Sequence, residues 1–190
     1  MFKIRDLTFH VDPAETTVHA CLDPTSPILR WCINVECKPT YIDGLYWEPR
    51  LYHESLWFNV SDWHSLASIR RVFPAKPPID SCLYIFEHGE IGESMIALSN
   101  RRGPVFNLEW KCVGNVYAGE GYSTDVPIYV KTEVRFRQIT VSLPAVKTPE
   151  EAREQLANHF DITTLQPPEQ VRSNCDGMWD RFRFRPSDVT

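Results

Sequence analysis

The sequence predicts a mainly β protein: an antiparallel β-sandwich or open barrel (α+β by strict count), with one amphipathic helix packed on the sheet. Three observations carry this. Apolar residues occupy alternate positions in many short runs: Trp31, Ile33, Val35, Cys37; Cys82, Tyr84, Phe86; Phe106, Leu108, Trp110; Ile128, Val130; Ile139, Val141, Leu143. A period of two places successive side chains on opposite faces of a pleated strand. Six Trp, seven Tyr and ten Phe suit a pleated surface, and fifteen Pro against eight Gly imply stiff connections and guarded strand edges. At 190 residues, 43% apolar, the chain fits one domain over 1–190, with 166–190 an extended tail or a closing edge strand.

The elements follow in order. Residues 2–9 read as a strand that changes parity between Ile4 and Leu7, so a bulge or bend is expected near Arg5-Asp6. A strand at 16–22 follows the turn at Asp12-Pro13, and Asp23–Pro27 is a turn by composition. Residues 29–37 form the clearest early strand, closed by Lys38-Pro39. The run 44–60 is aromatic and strand-like, with an edge or interruption at Pro49. Ser61 caps a short helix reaching about Ile69, and Pro74, Pro77 and Pro78 make a rigid connector.

Residues 81–88 and 94–99 read as strands joined by a turn from Gly89 to Gly92, and 105–113 as the next strand. Gly114 to Asp125 reads as a loop. The long strand 127–143 switches parity between Phe136 and Ile139, which requires a bulge near Arg137-Gln138. Thr148-Pro149-Glu150-Glu151 supplies a capping Thr, a Pro at the first helical position and a Glu three residues after the cap. Ala152, Leu156 and Phe160 then form one apolar stripe, giving a helix over about 149–159 that lies on the sheet.

A net charge of −5 supplies no positive field for nucleic acid or an anionic membrane. Met1 to Asp6 begins no apolar leader, and no run of about 18 apolar residues exists, so a cytoplasmic protein is expected. The six Cys form no C-x-x-C pair, and in a reducing compartment they read as small buried apolar residues. His53-Glu54, Asp62 with His64, and Glu87-His88 place histidines beside carboxylates, but without H-E-x-x-H or comparable spacing. No metal, cofactor or catalytic residue is implied. The Gly114, Gly119 and Gly121 spacing is neither a P-loop nor a dinucleotide fingerprint.

Charge is the sharper signal. Asp80, Glu87, Glu90 and Glu93 are the only charged residues from Asp80 to Asn100. The last three would share an exposed turn suited to docking a basic protein, since complementary charge speeds encounter and fixes orientation. A secondary surface is Arg181, Arg183 and Arg185, interleaved with Phe182 and Phe184. Three Arg on one face of a strand want a carboxylate or phosphate acceptor, or else guard an edge.

The expected function is a protein-binding module that recognises and occludes a partner. In size, charge and class it is similar to bacterial immunity proteins, which neutralise a toxin by covering its active site. Two alternatives are a hydrolase-like enzyme with a loop-borne site, using His64, His88 or the Gly119–Gly121 loop, and a domain stacking carbohydrate or another small ligand on Trp47 or Trp57. A ligand site should show as a concave pocket with converging polar groups, an occluding module as a flat or projecting patch.

Overall fold

A computed structural model describes residues 1–22, 28–75, 81–118, 121–142, 146–171 and 181–187. The strands are β1 (Phe2–Ile4), β2 (Leu7–Phe9), β3 (Thr17–Leu22), β4 (Leu29–Glu36), β5 (Thr40–Ile42), β6 (Leu45–Trp47), β7 (Arg50–Leu56), β8 (Arg70–Phe73), β9 (Ser81–Tyr84), β10 (His88–Arg102), β11 (Val105–Ala118), β12 (Gly121–Val141), β13 (Glu169–Val171) and β14 (Arg181–Phe184). A 3-10 helix, His64–Ser68, precedes β8, and α1, Pro149–Ala157, follows β12.

The predicted class holds, and the sheet is mixed. Pairing runs β11-β10-β9-β7-β4-β3-β12, and β12 pairs again with β11, so these strands form a closed circuit. The β3–β12 contact is parallel, with Arg135 opposite Thr17 and Val141 opposite Leu22. The other pairings are antiparallel.

Alternation selects the inner face. Val18, Ala20 and Leu22 of β3 face the core with Trp31, Ile33 and Val35 of β4, and with Phe106, Leu108 and Trp110 of β11. The Trp31 ring meets Phe58, Phe136 and Phe160 at centroid distances of 5.8, 6.0 and 6.1 Å. Phe160 lies just beyond α1, so this aromatic hub ties the helix to the strands. The capping box forms as its sequence specifies: Glu151 N donates to Thr148 Oγ1 at 3.2 Å, and Thr148 N donates to Glu151 Oε2 at 3.1 Å. Ala152, Leu156 and Phe160 are buried. The parity switch in β12 is a bulge at Arg137-Gln138: three steps from Phe136 to Ile139 oppose two from Val18 to Ala20.

Four local expectations are corrected. Arg5-Asp6 is a full reversal rather than a bulge: β1 and β2 pair as a hairpin with Phe2 opposite Phe9, and Arg5 takes φ 53°. The 3-10 helix has Trp63 rather than Ser61 at its N-cap, and the side chain that reaches its first turn is Asp62, whose carboxylate accepts from Ser65 N and Oγ at 2.9 and 2.7 Å. The turn between β9 and β10 lies at Ile85–Glu87, and Gly89 to Gly92 belong to β10. Gly89 is there because β11 passes too close for any side chain: a Cβ would meet the Asn115 carbonyl oxygen at 2.1 Å. Strand pairing continues through most of Gly114–Asp125, so β11 runs to Ala118 and β12 starts at Gly121; Gly119 and Glu120 lie outside the described residues. The interruption expected at Pro49 is present: β6 ends at Trp47 and β7 starts at Arg50, with β5 and β6 forming a separate two-stranded sheet.

The cap makes a direct test. Thr148→Ala should destabilise the protein by about 0.5–2 kcal/mol, because the Glu151 amide loses its acceptor. Urea denaturation would show the midpoint falling at constant slope. An unchanged midpoint would mean that the helix draws nothing from this cap.

Candidate functional site

Two places on the surface combine chemistry with exposure. The first is the hairpin β5–β6. Asp43 and Gly44 form its turn with φ of 52° and 78°, as expected where both central residues must be left-handed. Tyr41 and Tyr46 are paired across the strands, with rings 5.5 Å apart and edge-on. They are 73% and 47% exposed, and Leu45 is 43% exposed. The opposite parity anchors the hairpin: buried Trp47 packs on Phe9 at 5.7 Å and on Phe86 at 5.0 Å. Phe86 sits in the β9–β10 turn, so Glu87 of that turn lies at the same end of the molecule.

The second place is a groove of about 400 Å³ on the outer face of β3 and β4. Thr17, His19, Cys32 and Asn34 line it from these strands, with Tyr52 and Glu54 from β7, Arg137 and Gln138 from β12, and Arg183 from β14. β7 carries its own bulge at Glu54-Ser55, where three steps from His53 to Leu56 oppose two from Ile33 to Trp31. The displaced Glu54 carbonyl accepts from the Cys32 thiol at 3.4 Å. That thiol is held far above its ordinary range by a hydrogen bond with Cys21 and by burial. His19 is held below its ordinary pKa by burial, and secondarily by the Arg137 charge. Burial, with Cys82 nearby, pushes Tyr52 up to about 12. Among the described residues Cys21, Cys32, Cys37, Cys82 and Cys112 form no disulfide; Cys175 lies outside the described residues.

The acidic residues do not share one turn. Glu87 is in the β9–β10 turn, while Glu90 and Glu93 lie along β10. All three are exposed, and a register irregularity between Ile91 and Ser94 keeps Glu93 on the outward side with Glu90. At about 3.3 Å per residue the row spans roughly 20 Å. Asp80 lies outside the described residues. In β14, Phe182 and Phe184 are buried, and Arg183 and Arg185 each approach Glu169 of β13 at 3.4 Å, the carboxylate acceptor that the Arg spacing calls for. Arg181 is exposed on the same strand.

The histidine candidates do not converge. His53 points into the core against Phe73 and Trp110 while its neighbour Glu54 points outward. His64 packs edge-on to Trp63, with rings 4.1 Å apart; burial and the Arg101 charge lower its pKa. His88 Nδ1 lies 3.2 Å from the buried Cys82 thiol, whose pKa burial raises. Such a thiol is a poor nucleophile. Among the described residues no three His, Cys, Asp or Glu side chains form a group able to hold a metal ion. Trp47 is buried, which removes it as a stacking platform, and Trp57 is 54% exposed. No helix among the described residues is long and apolar enough to cross a membrane.

Neither place is marked by a motif. The hairpin has a signal, Asp43-Gly44 between aromatic and aliphatic residues, and a strand-like stretch begun at residue 44 starts inside that turn. The groove has no local signal, because five strands assemble it. Compared with family models, curated proteins and solved structures, the chain gives no match.

The lowered pKa values of His19 and His64 set a pH response. Between the folded values and about 6.5, the unfolded chain holds protons that the folded chain does not. Stability therefore rises with pH across that window, is fully present above it, and is lost on acidification. Urea midpoints measured from pH 7.5 down to about 5 should fall, and His19→Gln should flatten the slope. An identical slope in the variant would show that His19 takes up its proton alike in the folded and unfolded chains.

Proposed function

We propose that the protein is a binding module that occludes a basic protein partner, as immunity proteins do to toxins, and that its contact surface is the end bearing the β5–β6 hairpin. The observation that carries this reading is the exposed Tyr41–Tyr46 pair on a hairpin standing apart from the main sheet. A cross-strand aromatic pair also steadies its own hairpin, by about 0.2–1 kcal/mol. That role alone does not call for such exposure. Tyrosine offers a large, rigid contact area with little conformational entropy to lose, and it is enriched at interfaces.

Charge at this end supports a basic partner. Asp43 and Glu87 are exposed, and Arg50 is shared by two carboxylates, Glu36 at 2.9 Å and Glu48 at 3.4 Å. Those four acids stand against Arg50 and the exposed Lys38. Glu90 and Glu93 extend the acidic row along β10, where they would steer approach rather than make the central contact.

The test compares proteins captured from the native organism's extract by the wild type, by Tyr41→Ser with Tyr46→Ser, and by Glu87→Lys. The reading expects a basic protein that the wild type retains and the double variant loses, with both variants folded by circular dichroism. Glu87→Lys should slow association and reduce its salt dependence. Equal capture by all three would overturn the reading.

A further inference from the structure

We propose that the groove on the outer face of β3 and β4 is a binding site for a small organic oxyanion, a phosphate monoester or a carboxylate, held between Arg137 and Arg183. The hairpin plays no part in this inference. The groove's construction is its first support. Bulges in β7 and β12 flank the β3–β4 pair on its two sides, and the extra residues bring Glu54 from one flank and Arg137 with Gln138 from the other to the same outer patch. Bulges that re-aim side chains in this way are over-represented beside binding and active sites.

The second support is an excess of unmatched cationic donors. The Arg137 side chain is exposed and has no ion pair or hydrogen bond with the side chains of the described residues. Arg183 gives one terminal nitrogen to Glu169 at 3.4 Å, but its Nε is buried with no acceptor among the described residues. A buried guanidinium N–H without a partner is costly, and an oxyanion is the acceptor that satisfies it best. Glu54 is the groove's own carboxylate and Glu169 is shared by Arg183 and Arg185, so the three Arg outnumber the two carboxylates. The Thr17 hydroxyl and the His19 imidazole add polar groups at the floor. The volume suits a small molecule.

Calorimetric titration at constant ionic strength tests the site with glycerol 3-phosphate, glycerate and uncharged glycerol as probes. Saturable binding of glycerol 3-phosphate identifies a phosphate site, and of glycerate a carboxylate site; glycerol should not bind. Arg137→Gln should weaken the bound oxyanion roughly ten-fold or more, whereas Glu54→Gln should tighten it by removing a like charge. Both side chains face solvent, and unchanged thermal midpoints would show that the fold persists. Glu133→Gln, on the part of β12 remote from the groove, should change nothing. The proposal fails if neither oxyanion saturates at millimolar concentration, if Glu133→Gln shifts affinity as much as Glu54→Gln does, or if Arg137→Gln binds like the wild type.

Discussion

The parallel pairing of β3 with the end of β12 is the constraint on which the rest of the structure depends. It closes the strand circuit, and it joins residues 17–22 to residues 135–141 across most of the chain. No short hairpin can make such a contact, so its loop-closure entropy must be met by burial. That burial is specific in register. Phe136, Ile139 and Val141 must all point inward opposite Val18, Ala20 and Leu22, and a slip of one residue would turn every one of them to solvent. Phe136 and Ile139 are an odd number apart, so a regular strand cannot bury both. The extra residue at Arg137-Gln138 resolves the conflict and places these two polar side chains outside. The packing of the core and the composition of the groove therefore have one cause.

The bulge in β12 was legible because apolar residues flank it on both sides and display the parity switch directly. The equivalent bulge in β7 was not. There the inward residue before the switch is His53, which reads as polar and hides the change from Leu51 and His53 to Leu56. Glycine misled in the same way. Gly89 and Gly92 look like turn residues, yet both lie in the strand: a Cβ at Gly89 would collide with the Asn115 carbonyl of β11, and one at Gly92 would press on a Val113 methyl at 2.8 Å. Composition cannot separate these uses, because both exploit the same missing atom. Alternation marks strands well and locates turns poorly, and so Arg5-Asp6 looked like a defect in a strand when it is the tip of a hairpin.

Side-chain direction explains why the site candidates dispersed. Glu87, Glu90 and Glu93 are near in sequence, but extended backbone draws them into a row. His53 and Glu54 are adjacent and face opposite sides of the sheet. The groove brings together residues from β3, β4, β7, β12 and β14, and no window of the sequence contains that set. Interfaces carried by one hairpin, by contrast, are local, and Asp43-Gly44 with its flanking tyrosines was open to recognition from the sequence.

A line of polar contacts joins the two surfaces. Asn34, in the groove floor, donates to Glu36 at 2.8 Å; Glu36 pairs with Arg50, and Arg50 with Glu48 beside the hairpin. Glu36 is only partly exposed, so its pairing with Arg50 is worth more than that of a fully solvated pair. The line lies along β4 and β7, which are held in register by backbone pairing from Glu36–Arg50 to Trp31–Leu56. Coupling between sites requires an element with two arrangements whose balance each ligand biases. The paired strands tie the position of the hairpin to that of the groove, and a ligand in one would act on the other only through a second arrangement of this strand pair.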